Sequence, residues 1–244
     1  QKALYLSADY WLKNKRLNNI NIDFCNAGGA LFGVPAYVDA LMSYIKKYRA
    51  DLSFNHNLVK VDGATRKAWF DVTDADGNKT QVCKAFDMLH VCPPQSAPDF
   101  IRTSGLSDQA GWLDVNPQTL RHNHYSNIWG LGDVMNTTNA KTMAAVRKQV
   151  PVVATNICAV QAGKDPQAAY DGYGSCPLTV ERGKIVLAEF CYGGRVAPTF
   201  PSWLNNGVKP TRLAWLLKSV GLPFVYWNMM LKGREWFTDC PAEK

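Results

Sequence analysis

Seven cysteines and four histidines carry most of the reactive chemistry open to this chain. Cys25, Cys83, Cys92, Cys158, Cys176, Cys191 and Cys240 are an odd set, so one chain cannot pair them all in disulfides. No two are spaced as CxxC, and His56, His90, His122 and His124 form no ligand pattern with them, so no metal site is expected. Most of these thiols are expected to be small buried hydrophobes. Two glycine-containing loops also invite attention. Gly28-Gly29-Ala30-Leu31-Phe32-Gly33 stands where a dinucleotide fingerprint would stand, but its spacing is not G-x-G-x-x-G. Leu31 and Phe32 would also crowd a pyrophosphate, so a tight strand-to-helix turn is the expectation. Ile128-Trp129-Gly130-Leu131-Gly132-Asp133 differs. Its glycines let a ligand approach the backbone, its aspartate could accept hydrogen bonds from sugar or polyol hydroxyls, and the N-terminus of the following helix favours an anion. A glycine-rich strand end capped by aspartate fits the same spacing equally well.

Elements that would position these residues follow from periodicity. Tyr5 to Lys15 reads as a helix and Ile20 to Phe24 as a strand. Pro35 opens a helix on which Tyr37, Leu41, Tyr44, Ile45 and Tyr48 share one apolar face. A βα unit of this kind belongs in a doubly wound sheet. Two hairpins follow. Leu58–Asp62 and Lys67–Asp71 flank Gly63-Ala64-Thr65, and Phe70–Thr73 and Thr80–Cys83 flank a turn in which Gly77 supplies positive φ. Asp87–Cys92 reads as a strand stopped by Pro93-Pro94, and Asn127–Asp133 as a strand. A helix rich in small residues runs from about Ala140 to Ala162 and is expected to kink or split at Pro151. Lys184–Phe190 reads as a strand.

The 244 residues suffice for one large domain or two small ones. A 47% hydrophobic content with eight tryptophans, ten tyrosines and ten phenylalanines excludes intrinsic disorder, and ordinary glycine and proline counts exclude a collagen-like chain. The chain opens at Gln1 without a basic-then-apolar leader, as expected of a processed chain or a fragment. Net charge is +7. Its distribution favours a lipid headgroup layer over nucleic acid, because Val196–Arg234 lacks Asp and Glu while Lys209, Arg212, Lys218, Lys232 and Arg234 alternate with Trp203, Trp215, Phe224, Tyr226 and Trp227. Trp236 and Phe237 extend the aromatic run. Within Leu213–Leu231, Lys218, Gly221 and Pro223 interrupt the apolar residues. Two short amphipathic segments lying in a membrane interface are expected there, in place of a spanning helix. An ordinary buried helix hairpin is the alternative.

Several runs together resemble a known family. Gly130-Leu131-Gly132-Asp133 followed by Lys141-Thr142 resembles the second flavin-binding motif of the two-dinucleotide-binding-domain flavoproteins. His90-Val91-Cys92-Pro93-Pro94 is similar to their return crossover into the flavin domain. Tyr170-Asp171-Gly172-Tyr173-Gly174-Ser175-Cys176-Pro177-Leu178, Ala188-Glu189-Phe190 and Tyr226-Trp227-Asn228-Met229-Met230-Leu231 narrow the resemblance to the sulfide:quinone oxidoreductases, in particular the branch with mitochondrial members. It spans nearly the whole chain.

The resemblance implies an α/β, Rossmann-like FAD/NAD(P)-binding two-domain flavoprotein fold, here truncated, with an inserted β-meander and a C-terminal membrane-docking helical segment. It implies a second, NAD-like nucleotide-binding domain over 1–91 with its fingerprint lost, the returning part of the FAD domain over 92–165, and a quinone- and membrane-docking region over 166–244. FAD is the implied cofactor. Asp133 would bond its ribityl chain, Lys141 would face the pyrimidine end of the ring, and Gly132, Thr142 and Ala144 would line the same site. Cys176 would be one of two redox cysteines, which needs an accessible thiol, and Gly174-Ser175 and Pro177 suit an exposed, bent loop. The family's first G-x-G-x-x-G unit and the partner cysteine have no counterpart here, so the chain is expected not to turn over alone. Implied partners are sulfide, a sulfur acceptor, a quinone and a lipid surface, with peripheral (monotopic) attachment to a bacterial plasma membrane or the mitochondrial inner membrane; a homo-oligomer is compatible. A type II NADH:quinone oxidoreductase would need a working nucleotide fingerprint and has no use for Cys176. A non-catalytic membrane-docking or dimerisation module is the reading from a different class.

Overall fold

The computed structural model describes residues 1–234; Trp236, Phe237 and Cys240 lie outside the described residues. The chain forms two compact units. One holds Gln1–Pro93, Leu178–Val186 and Val208–Arg212, the other Pro94–Pro177, Leu187–Gly207 and the chain from Leu213 onward.

In the first unit, α1 (Lys2–Lys13) packs against α2 (Val38–Tyr48), and β1 (Asp23–Asn26) and β2 (Asp51–Phe54) form a parallel pair. The apolar face predicted for α2 is the buried one: Tyr37, Leu41, Tyr44, Ile45 and Tyr48 are all in the core. Tyr5 of α1 meets it, with its hydroxyl donating to the Leu41 carbonyl at 3.2 Å and its ring edge-on to Tyr44. Parallel strands joined through a helix form the expected βα unit. The first strand starts three residues later than alternation suggests: a 3₁₀ turn at Leu17–Asn19 precedes, and Ile20–Ile22 lead from it into β1 outside the ladder. Between β1 and α2 the Gly28–Gly33 segment is a turn, closed by the Asn26 amide donating to the Ala30 carbonyl at 2.8 Å, with Leu31 buried.

The meander is an antiparallel sheet in the order β3 (His56–Asp62), β4 (Lys67–Thr73), β5 (Lys79–Ala85). Its two turns are where the turn residues place them. Asp62 accepts from the Ala64 and Thr65 amides, and Gly77 takes φ +84°. Asp87–Cys92 is not a strand. It leaves β5 as an unpaired stretch that runs into Pro93-Pro94, where prolines offer no ladder donors.

The second unit is built on α4 (Met143–Gln161), whose buried face packs against Leu113, Val115, Leu120, Met135 and Tyr170. The short α3 (Asp99–Thr103) adds Ile101 to that core. Pro151 does not split α4: the helix is continuous over 19 residues. A proline removes one intrahelical bond, and here the buried Val152 and Val153 beside it hold the turn through packing. The expected strand Asn127–Asp133 reduces to one bridge, Arg121 to Trp129, and a 3₁₀ turn over Gly132–Val134. Its glycines explain this. A Cβ on Gly130 would come within 2.5 Å of Leu113, so the backbone lies against the core, and Gly132 has φ +78°.

The hairpin of β6 (Gly174–Glu181) and β7 (Lys184–Phe190) turns at Arg182-Gly183. Ile185, Val186, Leu187 and Ala188 are buried in succession, the pattern of a strand covered on both faces. The C-terminal segment continues from α5 (Arg212–Leu216) through a π turn at Leu217–Gly221 into α6 (Leu222–Asn228). The two expected segments are thus one run with Pro223 in the first turn of α6. Among the described residues no helix is long and apolar enough to cross a membrane.

The cysteines depart from expectation. Of the six described, only Cys191 is buried, while Cys83, Cys92 and Cys158 are exposed. Cys83 lies on the meander's outer strand and Cys158 on the outward side of α4, where the burial of neighbours does not reach them.

Candidate functional site

Asp133, Lys141, Thr142 and the start of α4 lie in the second unit. The path into the site is set by Gly132. Its left-handed φ turns the chain out of the core, and its amide donates to the Gln149 side-chain oxygen at 2.8 Å. Gln149 is fully buried two turns into α4, so it ties the glycine loop to the helix whose N-terminus the loop faces. Asp133 then emerges exposed.

Lys141 is half-buried. Its ammonium donates to the Met135 carbonyl at 2.6 Å and lies 4.3 Å from the centre of the Trp112 ring. Burial pulls its pKa below the usual lysine value, and the Asp133 carboxylate opposes that shift. Thr142 caps α4, its hydroxyl accepting from the Ala145 amide at 3.3 Å. Ala144, in the first turn, is half-buried. Within ten residues the chain thus presents an exposed carboxylate, a half-buried ammonium and the capped N-terminus of α4.

Cys176 lies on β6, not on a loop, and is half-buried. The sequence places Pro177 beside it as a chain-bender, but β6 accepts the proline and continues to Glu181. The strand begins next to the lysine site. A Cβ on Gly174 would stand 3.0 Å from that of Ala140, the residue before Lys141. Close approach of β6 to the α4 entrance thus depends on glycine at 174. Across the hairpin, Glu189 of β7 is buried and accepts from the Tyr173 hydroxyl at 2.6 Å and from both the hydroxyl and the amide of Thr199. Burial, with the Glu189 carboxylate next to it, pushes the Tyr173 phenol up and keeps it a donor.

Three contributors escape a reading of motifs: Gln149, Trp112 and the Gly174–Ala140 approach. For Gln149 a signal exists. Ala145, Gln149, Val152, Asn156 and Ala159 share the buried face of α4, and a polar residue in such a series must find a partner. Asn156 finds four: it donates to the Thr119 and Ala168 carbonyls and accepts from the Gln167 and Ala168 amides. Nothing local to Trp112 announces that it will lie under Lys141.

No family model matches the chain. It is 40% identical over 233 residues, 96% of its length, to the mitochondrial sulfide:quinone oxidoreductase of Mus musculus. It is 37% identical over 97% of its length to that of Dictyostelium discoideum and 34% identical over 97% to that of Schizosaccharomyces pombe. The chain spans about half the length of these relatives, 51%, 51% and 52%. A chain in the cryo-EM structure of the Tetrahymena thermophila mitochondrial ATP synthase F1Fo composite tetramer shares the fold, with a TM-score of 0.71 and 24% identity over 90% of this chain and 54% of that one. An α/β architecture with both parallel and antiparallel sheets accompanies this continuous similarity, which runs along nearly the whole chain and matches the C-terminal half of the mitochondrial sulfide:quinone oxidoreductases.

Proposed function

We propose that this chain is the part of an FAD-dependent sulfide:quinone oxidoreductase that completes one side of the flavin site and carries one of its two redox cysteines. The similarity over 96% of the chain to a protein bearing that name carries the reading. In it, 1–91 is the NAD-like domain without its fingerprint, 92–165 the returning flavin domain and 166–244 the quinone- and membrane-docking region.

The residues present fit the cofactor by their chemistry. FAD, when bound, supplies the two-electron relay between sulfide sulfur and quinone. Asp133 would accept from the ribityl hydroxyls, and Lys141, whose ammonium Met135 and Trp112 hold in place, would supply a positive charge at the pyrimidine end. Gly132, Thr142 and Ala144 shape the backbone beneath it. Sulfide attack on a disulfide between Cys176 and the other redox cysteine would break that S–S bond, leaving a persulfide on one cysteine and a thiolate on the other. The outer sulfur would pass to a sulfur acceptor, and re-forming the disulfide would release the two electrons that FAD passes to quinone. The other redox cysteine and the remainder of the flavin site are assigned to residues outside this sequence, so this chain alone does not turn over.

Exposed apolar side chains support the docking part: Trp203, Leu213, Leu216, Val220, Phe224 and Trp227 are more than two-fifths exposed in a stretch without acidic residues. Peripheral attachment to the mitochondrial inner membrane would bring quinone from the lipid to the flavin.

The test is sulfide-dependent reduction of a short-chain quinone by the full-length protein. Cys176→Ser should abolish it while flavin absorbance is retained, and Cys158→Ser should leave it unchanged. Undiminished turnover in Cys176→Ser would overturn the role of this cysteine. Vesicle binding without any flavin would instead favour a docking module.

A further inference from the structure

His90 and Cys92 form a pair that the proposed reaction does not use. The imidazole Nε2 lies 3.5 Å from the Cys92 sulfur, both side chains are exposed, and both belong to the first unit. The backbone explains the pairing. The stretch from Phe86 to Pro98 joins no sheet, and Pro93 restricts Cys92 to an extended conformation. In an extended chain, residues two apart point to the same side, so His90 and Cys92 are brought together by local geometry alone.

Two other exposed thiols serve as references. Cys83 on β5 and Cys158 on α4 are also open to solvent, and no imidazole bonds to either. Cys92 differs from them by a proton acceptor at hydrogen-bond distance.

We infer that the Cys92–His90 pair is a thiol-exchange site that takes up low-molecular-weight disulfides. The imidazole accepts the thiol proton, and the Cys92 sulfur attacks one sulfur of the incoming disulfide. A Cys92–S bond forms as the disulfide's own S–S bond breaks. The released thiolate leaves with the proton from His90, so the disulfide is the only oxidant required. Exposure on both sides of the pair admits a peptide-sized disulfide such as glutathione disulfide. The exchange step itself consumes neither sulfide nor flavin.

The experiment is a time course of the full chain with glutathione disulfide at pH 7, each cysteine being quantified by peptide mass spectrometry. Cys92 should form the mixed disulfide about fivefold or more faster than Cys83 and Cys158, the increase expected of a thiol that has a proton acceptor at hydrogen-bond distance. His90→Gln should bring Cys92 to within about twofold of the other two while their own rates stay constant. Equal rates at the three thiols in the unsubstituted protein would overturn the inference. So would a Cys92 that stays fast in His90→Gln. A variant that fails to fold shows itself by accelerated labelling of buried Cys191, and the comparison within the unsubstituted protein then decides.

Discussion

The Gln149 side-chain oxygen accepts the Gly132 amide proton at 2.8 Å, across 17 residues of sequence and from a position with no solvent exposure. That bond anchors the candidate site. It fixes the outward turn of the chain at Gly132, and with it the emergence of Asp133 opposite the start of α4.

Gln149→Leu should therefore destabilise the protein. The apolar side chain fills the space but leaves the Gly132 amide unsatisfied, a cost of about 1–3 kcal/mol. Urea denaturation should show the midpoint falling with the slope unchanged. A midpoint equal to that of the parent would mean that the loop does not depend on this bond.

Asn156 is more heavily engaged, with both its oxygen and its nitrogen shared between two backbone groups. Asn156→Leu removes all four bonds at once and should cost about 2–4 kcal/mol. Hydrogen exchange at the Gln167 and Ala168 amides, which now donate to Asn156, should accelerate ahead of exchange in the meander. Uniform acceleration everywhere would instead point to a global loss.

For Lys141 the sign of the pH effect follows from its surroundings. Its folded pKa is lowered by burial, so the charged form is penalised below that folded value, and the penalty is relieved as pH rises from there toward the unfolded value. Asp133 counteracts the shift. NMR titration of reductively methylated protein should show one lysine titrating below the rest, and Asp133→Asn should lower that value further. A rise on Asp133→Asn would show that the carboxylate does not face the ammonium.

The docking segment makes a physical prediction of its own. Leu216 and Trp227 are 56% and 64% exposed. Leu216→Glu with Trp227→Glu removes apolar area and adds two like charges against an anionic surface. Co-sedimentation with vesicles containing anionic lipid should fall severalfold, with the circular dichroism spectrum unchanged. Equal binding by the variant and the parent would remove this segment from the membrane contact.

Local features of the fold are legible in the amino-acid order because each is encoded within a few neighbouring residues. The buried face of α2 follows from five apolar residues at helical spacing. The meander follows from its alternation and from turn residues at Asp62 and Gly77. The family resemblance likewise lives in short runs such as Gly130–Asp133 and Tyr170–Leu178. Where spacing misled, a contact from elsewhere intervened. The Asn127–Asp133 run is not a ladder because Gly130 is pressed against Leu113. Asp87–Cys92 has the composition of a strand, yet it bends at Asp87-Met88 and pairs with no neighbouring strand.

Sequence alone thus determined which side chains could do the chemistry and which helices and hairpins would carry them, since periodicity and turn preference act over one or two turns of chain. Tertiary structure decided where those side chains meet. Trp112 lies under Lys141, Gln149 holds Gly132, and Gly174 lets β6 approach Ala140, each across 17 or more residues. Such meetings depend on which surfaces the core buries against one another, and no local pattern specifies that choice.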